Sequence, residues 1–239
     1  MGVPKECDAS MDFLLEGFFE AIRLLFTGNP ETYSAIGATL RASSYSMAVS
    51  LIVGIPAGFC LGYFRFKGQH EVRTVVDTLM ALPTVFIGLL VYAFLTHRGP
   101  LGHMGLLFTL PGIAIGQAIL ALPIVTGLCA TAIEGMDQKL RVTLLSMGAD
   151  RRQVFMTTLW EARRGLLAAG VAAYGRVMTE VGISMMVGGN IKWQTRTITT
   201  AIALETNKGM FGMGIALGLV LLLIAFGVNF SVSFLRRRS

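Results

Sequence analysis

Residues 42–64 read ASSYSMAVSLIVGIPAGFCLGYF, an unbroken uncharged run bounded by Arg41 on one side and by Arg65 and Lys67 on the other. Folded as a helix at 1.5 Å per residue, such a run reaches about 35 Å, enough to cross the roughly 30 Å hydrocarbon of a bilayer. Four more stretches share its character: 78–96, 110–133, 165–187 and 209–235. The third belongs to a longer run, 99–133, without Asp, Glu, Lys or Arg. The fourth is interrupted by Arg176 and Glu180, and the last stops at Arg236, Arg237 and Arg238. The expected fold is an all-α integral membrane protein with five transmembrane helices.

Composition agrees with that reading. Of 239 residues 54% are hydrophobic and only 14% charged, with a mean hydropathy of +0.66. A soluble globular protein carries about 25% charged residues. The net charge of +6 does not indicate nucleic acid, because most Lys and Arg residues lie between the apolar runs. Cys7, Cys60 and Cys129 form no C-x-x-C and lack metal-ligand spacing; Cys60 and Cys129 read as small buried hydrophobes. No catalytic constellation, metal site or cofactor site is expected. His97 and His103 read as interface histidines. No cleavable signal peptide is expected either, since Asp12, Glu16, Glu20 and Arg23 break the first apolar stretch.

Positive charge sets the orientation. Segments 65–73, 134–164 and 236–238 hold twelve of the twenty Lys and Arg residues. They are expected on the cytoplasmic side of a bacterial or archaeal cytoplasmic membrane, with the N-terminus outside, the C-terminus inside, and external loops at 97–109 and 188–208. Residues 11–27 pattern as an amphipathic helix, with Asp12, Glu16 and Glu20 on one face and Phe18, Ile22, Leu25 and Phe26 on another. Four charges make it a poor span, so it is expected to lie along the outer surface or to pack on the bundle. The chain then divides into an external segment, 1–30, and a transmembrane domain, 31–239. Small residues such as Gly54, Gly58 and Gly62 suit close helix approach in lipid.

The longest cytoplasmic segment, 134–164, places Leu140, Leu144 and Met147 on one helical face; Gly148 allows a break, and Asp150 starts a second short helix. Ser146, Met147, Gly148, Ala149, Asp150, Arg151, Arg152, Gln153, Val154 and Phe155 form an exposed tip. A solvated connector has no need of Val154 and Phe155 there; a docking knob does. The spacing Leu140-xxx-Leu144-xx-Met147-Gly148-Ala149-xxx-Gln153-x-Phe155 resembles the EAA loop of ATP-binding-cassette importer permeases. Where that loop has an alanine pair before the glycine, this chain has Thr143 and Leu144. Residues 81–90, 99–102, 105–109, Arg176-xxx-Glu180-x-Gly182 and 188–191 resemble the molybdate and tungstate permease group, and 192–206 the tungstate permeases. The resemblance implies the type I importer permease core, with the segment after Gly148 as the helix that enters a cleft on an ATPase subunit. It also implies a homodimer with a second copy, two ATPase subunits, an external solute-binding protein and an oxyanion substrate. That substrate is expected to be tungstate, molybdate next, imported into the cytoplasm. No G-x-x-x-x-G-K-[ST] phosphate loop is present, so ATP chemistry is expected on another subunit.

Arg176 and Glu180 stand one turn apart within a span, where an unpaired charge costs a few kcal/mol. They either meet the passing anion or neutralise each other and lock helices; the second is favoured, since a tightly held divalent anion is not easily released. Ser43, Ser46, Thr179 and Ser184 are candidate hydroxyls along an anion path, with Thr195, Arg196 and Thr197 at its external mouth. The runner-up function is an ATP-independent secondary transporter or channel for a small anion. Such proteins often carry inverted repeats, and none is visible.

Overall fold

The structure, a computed structural model, describes residues 17–136 and 143–238, and of 232–238 the backbone alone. Among the described residues all regular structure is helical. Helix α1 covers 17–26. Helix α2, Pro30–Tyr63, starts where the Asn29 side chain accepts from the N–H groups of Glu31 and Thr32, with Pro30 in the first turn. At 34 residues it is about 51 Å long and overruns a bilayer. Its start lies twelve residues before the uncharged run, because the cap and not the charge pattern decides where the helix begins.

Helices α3, Gln69–Met80, and α4, Thr84–Leu95, meet at 92°. The bend falls at Ala81-Leu82-Pro83; Pro83 has no N–H to give and restricts the residue before it. After a 3₁₀ turn at Gly102–Met104, α5 runs from Leu110 to Glu134, capped by Thr109. A short helix α6 covers 143–146. Then come α7, Arg151–Met178, and α8, Gly182–Gly188, bent by 56°. Helices α9, Ile198–Asn207, and α10, Phe211–Arg238, complete the chain. Among the described residues three helices, α2, α5 and α10, are long and apolar enough to cross a membrane, and up to five spans are present if each bent pair is one. The stretches 78–96 and 165–187, each read from sequence as one span, are therefore bent.

Helix α5 is the centre of the bundle. It runs parallel to α2, and the register is set by small residues: a side chain on Gly54 would begin 3.4 Å from the Leu122 carbonyl oxygen, on Gly58 2.5 Å from that of Thr126, on Gly62 2.6 Å from that of Ala130. Each step of four on α2 advances four on α5, so one stripe meets one face at backbone contact. The core adds Phe59, Val91, Leu120, Val125, Leu166 and Ile183. A second cluster joins α1, α9 and α10 through Ala21, Leu24, Ile198, Ala201, Ala216 and Leu217. Helix α1 thus packs on α10, with Phe18, Ile22 and Phe26 exposed and Leu25 partly buried. Asp12 and Glu16 lie outside the described residues.

Candidate coupling loop and anion path

Ahead of α7, helix α6 closes at Gly148. The Ala149 N–H bonds the Leu144 carbonyl and the Gly148 N–H that of Leu145, at 3.0 and 3.1 Å. This paired closure of a helix end requires a left-handed residue at the glycine position. Gly148 has φ +81°, and nothing lies within 4 Å of where a side chain would begin. Two residues later Asp150 and Gln153 form a capping box, Gln153 N–H to Asp150 Oδ1 at 2.6 Å and Asp150 N–H to Gln153 Oε1 at 2.9 Å. A stop and a start placed so close fix the local path of the chain. Leu140 lies outside the described residues.

The helix that follows is not short. It continues as α7 for 28 residues. The position of its two apolar residues also differs from the sequence expectation. Val154 is 2% exposed, and the Phe155 ring stands edge-on to Phe59 with centroids 4.8 Å apart. Both face the chain's own bundle, because Val154 opens the buried stripe Val154, Thr158, Ala162, Leu166, Ala169, Ala173 and Val177 on α7. The exposed tip consists of Ser146, Met147, Gly148, Asp150, Arg151, Arg152 and Gln153, with Ala149 half-buried. Its apolar member is Met147, 78% exposed, and Leu145 just before it is exposed as well. Met156 and Trp160 are exposed on the same helix, with Arg163 stacked 4.6 Å over the Trp160 ring.

The residues expected at the external mouth are committed to holding a loop. Thr195 is buried and its hydroxyl donates to the Gly188 carbonyl while accepting from the Ile191 N–H. Thr197 caps α9 and shares its hydroxyl with Thr199 and Thr200. Arg196 donates through Nε to Asn190 Oδ1 at 3.1 Å and through Nη1 to Glu31. Glu31 also accepts Lys192 at 2.7 Å, so one carboxylate in the first turn of α2 ties down two cations of the 188–198 loop. Glu31 was not singled out from the sequence; a lone acidic residue in a first helical turn looks like dipole compensation and no more.

Of the other candidate hydroxyls, Ser184 is buried and donates to the Glu180 carbonyl at 3.2 Å. Thr179 is exposed but bonds back to Gly175 and Arg176. Ser43 and Ser46 are buried, and their hydroxyls have no hydrogen-bond partner. So does the side-chain oxygen of Gln117 on α5, a residue the sequence reading passed over. Arg176 Nη1 meets Glu180 Oε2 at 3.0 Å, and Glu180 Oε1 accepts the Ile183 N–H at 3.3 Å. At the other end of the bundle Arg73 joins α3 to α5 through Thr131 at 2.7 Å and Glu134 at 3.7 Å. Among the described residues no three His, Cys, Asp or Glu side chains converge in a way that would hold a metal.

A parallel α2–α5 core, two bent helix pairs and a capped stop and start ahead of α7 describe a polytopic helical membrane protein. The description of a binding-protein-dependent transport system inner membrane component matches residues 54–239, and the chain belongs to that family of ATP-binding-cassette importer permeases. Within it the chain is 48% identical to the tungstate uptake system permease protein TupB of Campylobacter jejuni, over 95% of each chain. It is 37% identical to the protein of the same name from Peptoclostridium acidaminophilum, over 92% of this chain and 96% of that one. A crystal structure of a bacterial ABC transporter involved in import of the acidic polysaccharide alginate has the same fold, with TM-score 0.74 at 20% identity over 96% of this chain and 89% of that one.

Proposed function

We propose that this chain is the membrane-spanning subunit through which an ATP-driven importer passes tungstate into the cytoplasm. The observation that carries the reading is the 48% identity to a tungstate permease along nearly the whole of both chains. The capped stop and start at Gly148 and Asp150 support a docking role for the exposed tip 145–153, with Leu145 and Met147 as apolar anchors and Asp150, Arg151, Arg152 and Gln153 as a polar rim. Two ATPase subunits hydrolyse ATP; this chain supplies no site for it. A second copy completes the pathway. An apolar groove of about 770 Å³ lined by Tyr45, Val49, Leu79, Leu82, Ile115 and Ile119 offers it a surface in place of lipid. Residues 1–30 form an external segment and 31–239 the permease domain. The N-terminus and the 188–208 segment face outside, where a solute-binding protein delivers the anion; the tip and the C-terminus face the cytoplasm.

Cells that express this chain with its ATPase and binding protein, and cells that lack the chain, should be exposed to tungstate, molybdate and sulfate together. Element analysis of washed cells is expected to show tungsten accumulation that depends on the chain and exceeds that of molybdenum. Molybdenum accumulating in preference to tungsten would move the assignment to molybdate. No dependence of either metal on the chain would overturn the function.

A further inference from the structure

The intramembrane ion pair lies within one segment. Arg176 is in the last turn of α7 and Glu180 sits in the break before α8, so their 3.0 Å contact spans four residues, and through Glu180 Oε1 and the Ile183 N–H it reaches the first turn of α8. Among the described residues the charged groups of the pair reach no helix beyond that bent segment. Burial is unequal as well: the Glu180 side chain is 2% exposed and that of Arg176 45%. The carboxylate is held on its protein side, one oxygen by Arg176 and the other by the Ile183 N–H. The guanidinium gives one hydrogen bond to Glu180, and among the described residues its remaining N–H groups have no partner.

Depth makes that exposure informative. Arg163 and Arg164 mark the charged end of the span, and Arg176 lies twelve residues on, about 18 Å along the axis. That is near the middle of a roughly 30 Å hydrocarbon layer, where a half-exposed guanidinium against lipid costs a few kcal/mol. Its open side must face water or protein. The second bent span breaks at the same place: Thr84 Oγ1, at the start of α4, and Glu180 Oε1 each lie 3.3 Å from where a side chain on Gly182 would begin. Irregular backbone at membrane depth is tolerated where it is buried in protein or lines a water-filled cavity. The two breaks pack on each other within the protein, so it is the open side of the guanidinium beside them that calls for water or a further protein surface.

Resting on the reading of this chain as an oxyanion importer, we infer that Arg176 is the side chain that touches the anion at mid-membrane. Glu180 is the positioning residue that turns the guanidinium toward a water-filled lumen. Guanidinium offers a planar fork of donors to a tetrahedral oxyanion. Glu180 already takes part of its charge, so the contact is weak enough to be left, which answers the objection that a divalent anion would stick. Conduction demands sites of this kind, attractive enough to enter and weak enough to leave.

The test uses proteoliposomes holding the permease, its ATPase and its binding protein. Wild type must accumulate tungsten; failure there overturns the proposed function and not this inference. Arg176→Gln leaves a buried carboxylate uncompensated, so the informative variant is the charge-neutral pair Arg176→Gln with Glu180→Gln. If Arg176 meets the anion, the double variant still takes up about tenfold less tungstate per ATP hydrolysed, and Arg176→Lys retains part of it. If the double variant regains wild-type uptake, Arg176 only neutralises Glu180 and the inference fails. Should these variants not assemble, Thr179→Cys, an exposed neighbour one turn from Arg176, is placed in a chain with Cys7, Cys60 and Cys129 replaced. Modification by a charged, membrane-impermeant thiosulfonate, slowed by tungstate, is expected. Reaction only with a lipid-soluble maleimide would place this face against lipid and overturn the inference.

Discussion

The Gly58→Ala substitution tests the α2–α5 seam at the centre of the bundle. Its new methyl would begin 2.5 Å from the Thr126 carbonyl oxygen and 2.7 Å from the Cys129 Cβ. A relaxed carbon–oxygen contact is about 3.3 Å, so the two helices must part by roughly 0.8 Å. The oxygen is backbone and cannot rotate away. Overpacking of this kind costs about 1–3 kcal/mol, against which alanine returns up to about 1 kcal/mol of helix propensity. A net loss of about 1–2 kcal/mol corresponds to a fall in Tm of roughly 2–8 °C for a chain of this size. Gly37→Ala in the same helix, where nothing lies within 4 Å, is the control and should be neutral or slightly stabilising. Thermal unfolding of both variants in the same detergent, followed by circular dichroism, checks the difference. A Gly58→Ala chain at least as stable as Gly37→Ala would refute the parallel close-packed seam.

Three further outcomes are expected. Phe155→Ala removes a ring packed on Phe59 and should lower stability of the permease by about 2–3 kcal/mol, short of the 3–5 kcal/mol of a fully buried Phe because Phe155 is half-buried; unchanged thermal stability with lost ATPase binding would return Phe155 to the docking tip. Met147→Asp, on a side chain 78% exposed, should leave the chain's Tm within about 1 °C while reducing co-purified ATPase several-fold; a full complement of ATPase would remove the tip from the interface. Glu31→Gln releases Arg196 and Lys192 together, and hydrogen exchange across 188–198 should rise while stability falls by about 0.5–1 kcal/mol, a small value because the carboxylate is 40% exposed; exchange unchanged there would show that the loop is held by Thr195 alone.

Much of the fold was legible because lipid leaves the chain few options. Uncharged runs give the spans, and Gly148 followed by Asp150 and Gln153 gives a helix stop and start whose geometry depends on short-range hydrogen bonds alone. What was misread depends on three-dimensional neighbours. The stripe from Val154 to Val177 has helical spacing, yet only the presence of Phe59 opposite Phe155 assigns its first members to the bundle instead of the tip. Pro83 announces a break, but not that it lies beside the break at Thr179–Val181. Arg196 looked available because no Asp or Glu stands within eight residues of it; its partner Glu31 is 165 residues away. Long-range ion pairs of that kind leave no periodic trace in one sequence.

Reconstitution shows whether this chain is an ATP-driven permease for tungstate. Purified permease, ATPase and binding protein are sealed in liposomes, and the tungsten retained inside is measured with ATP at the ATPase face or with a non-hydrolysable analogue. Accumulation against a gradient with ATP, none with the analogue, and none when the binding protein is omitted is the predicted result; equal entry of tungstate in all three conditions would contradict the account.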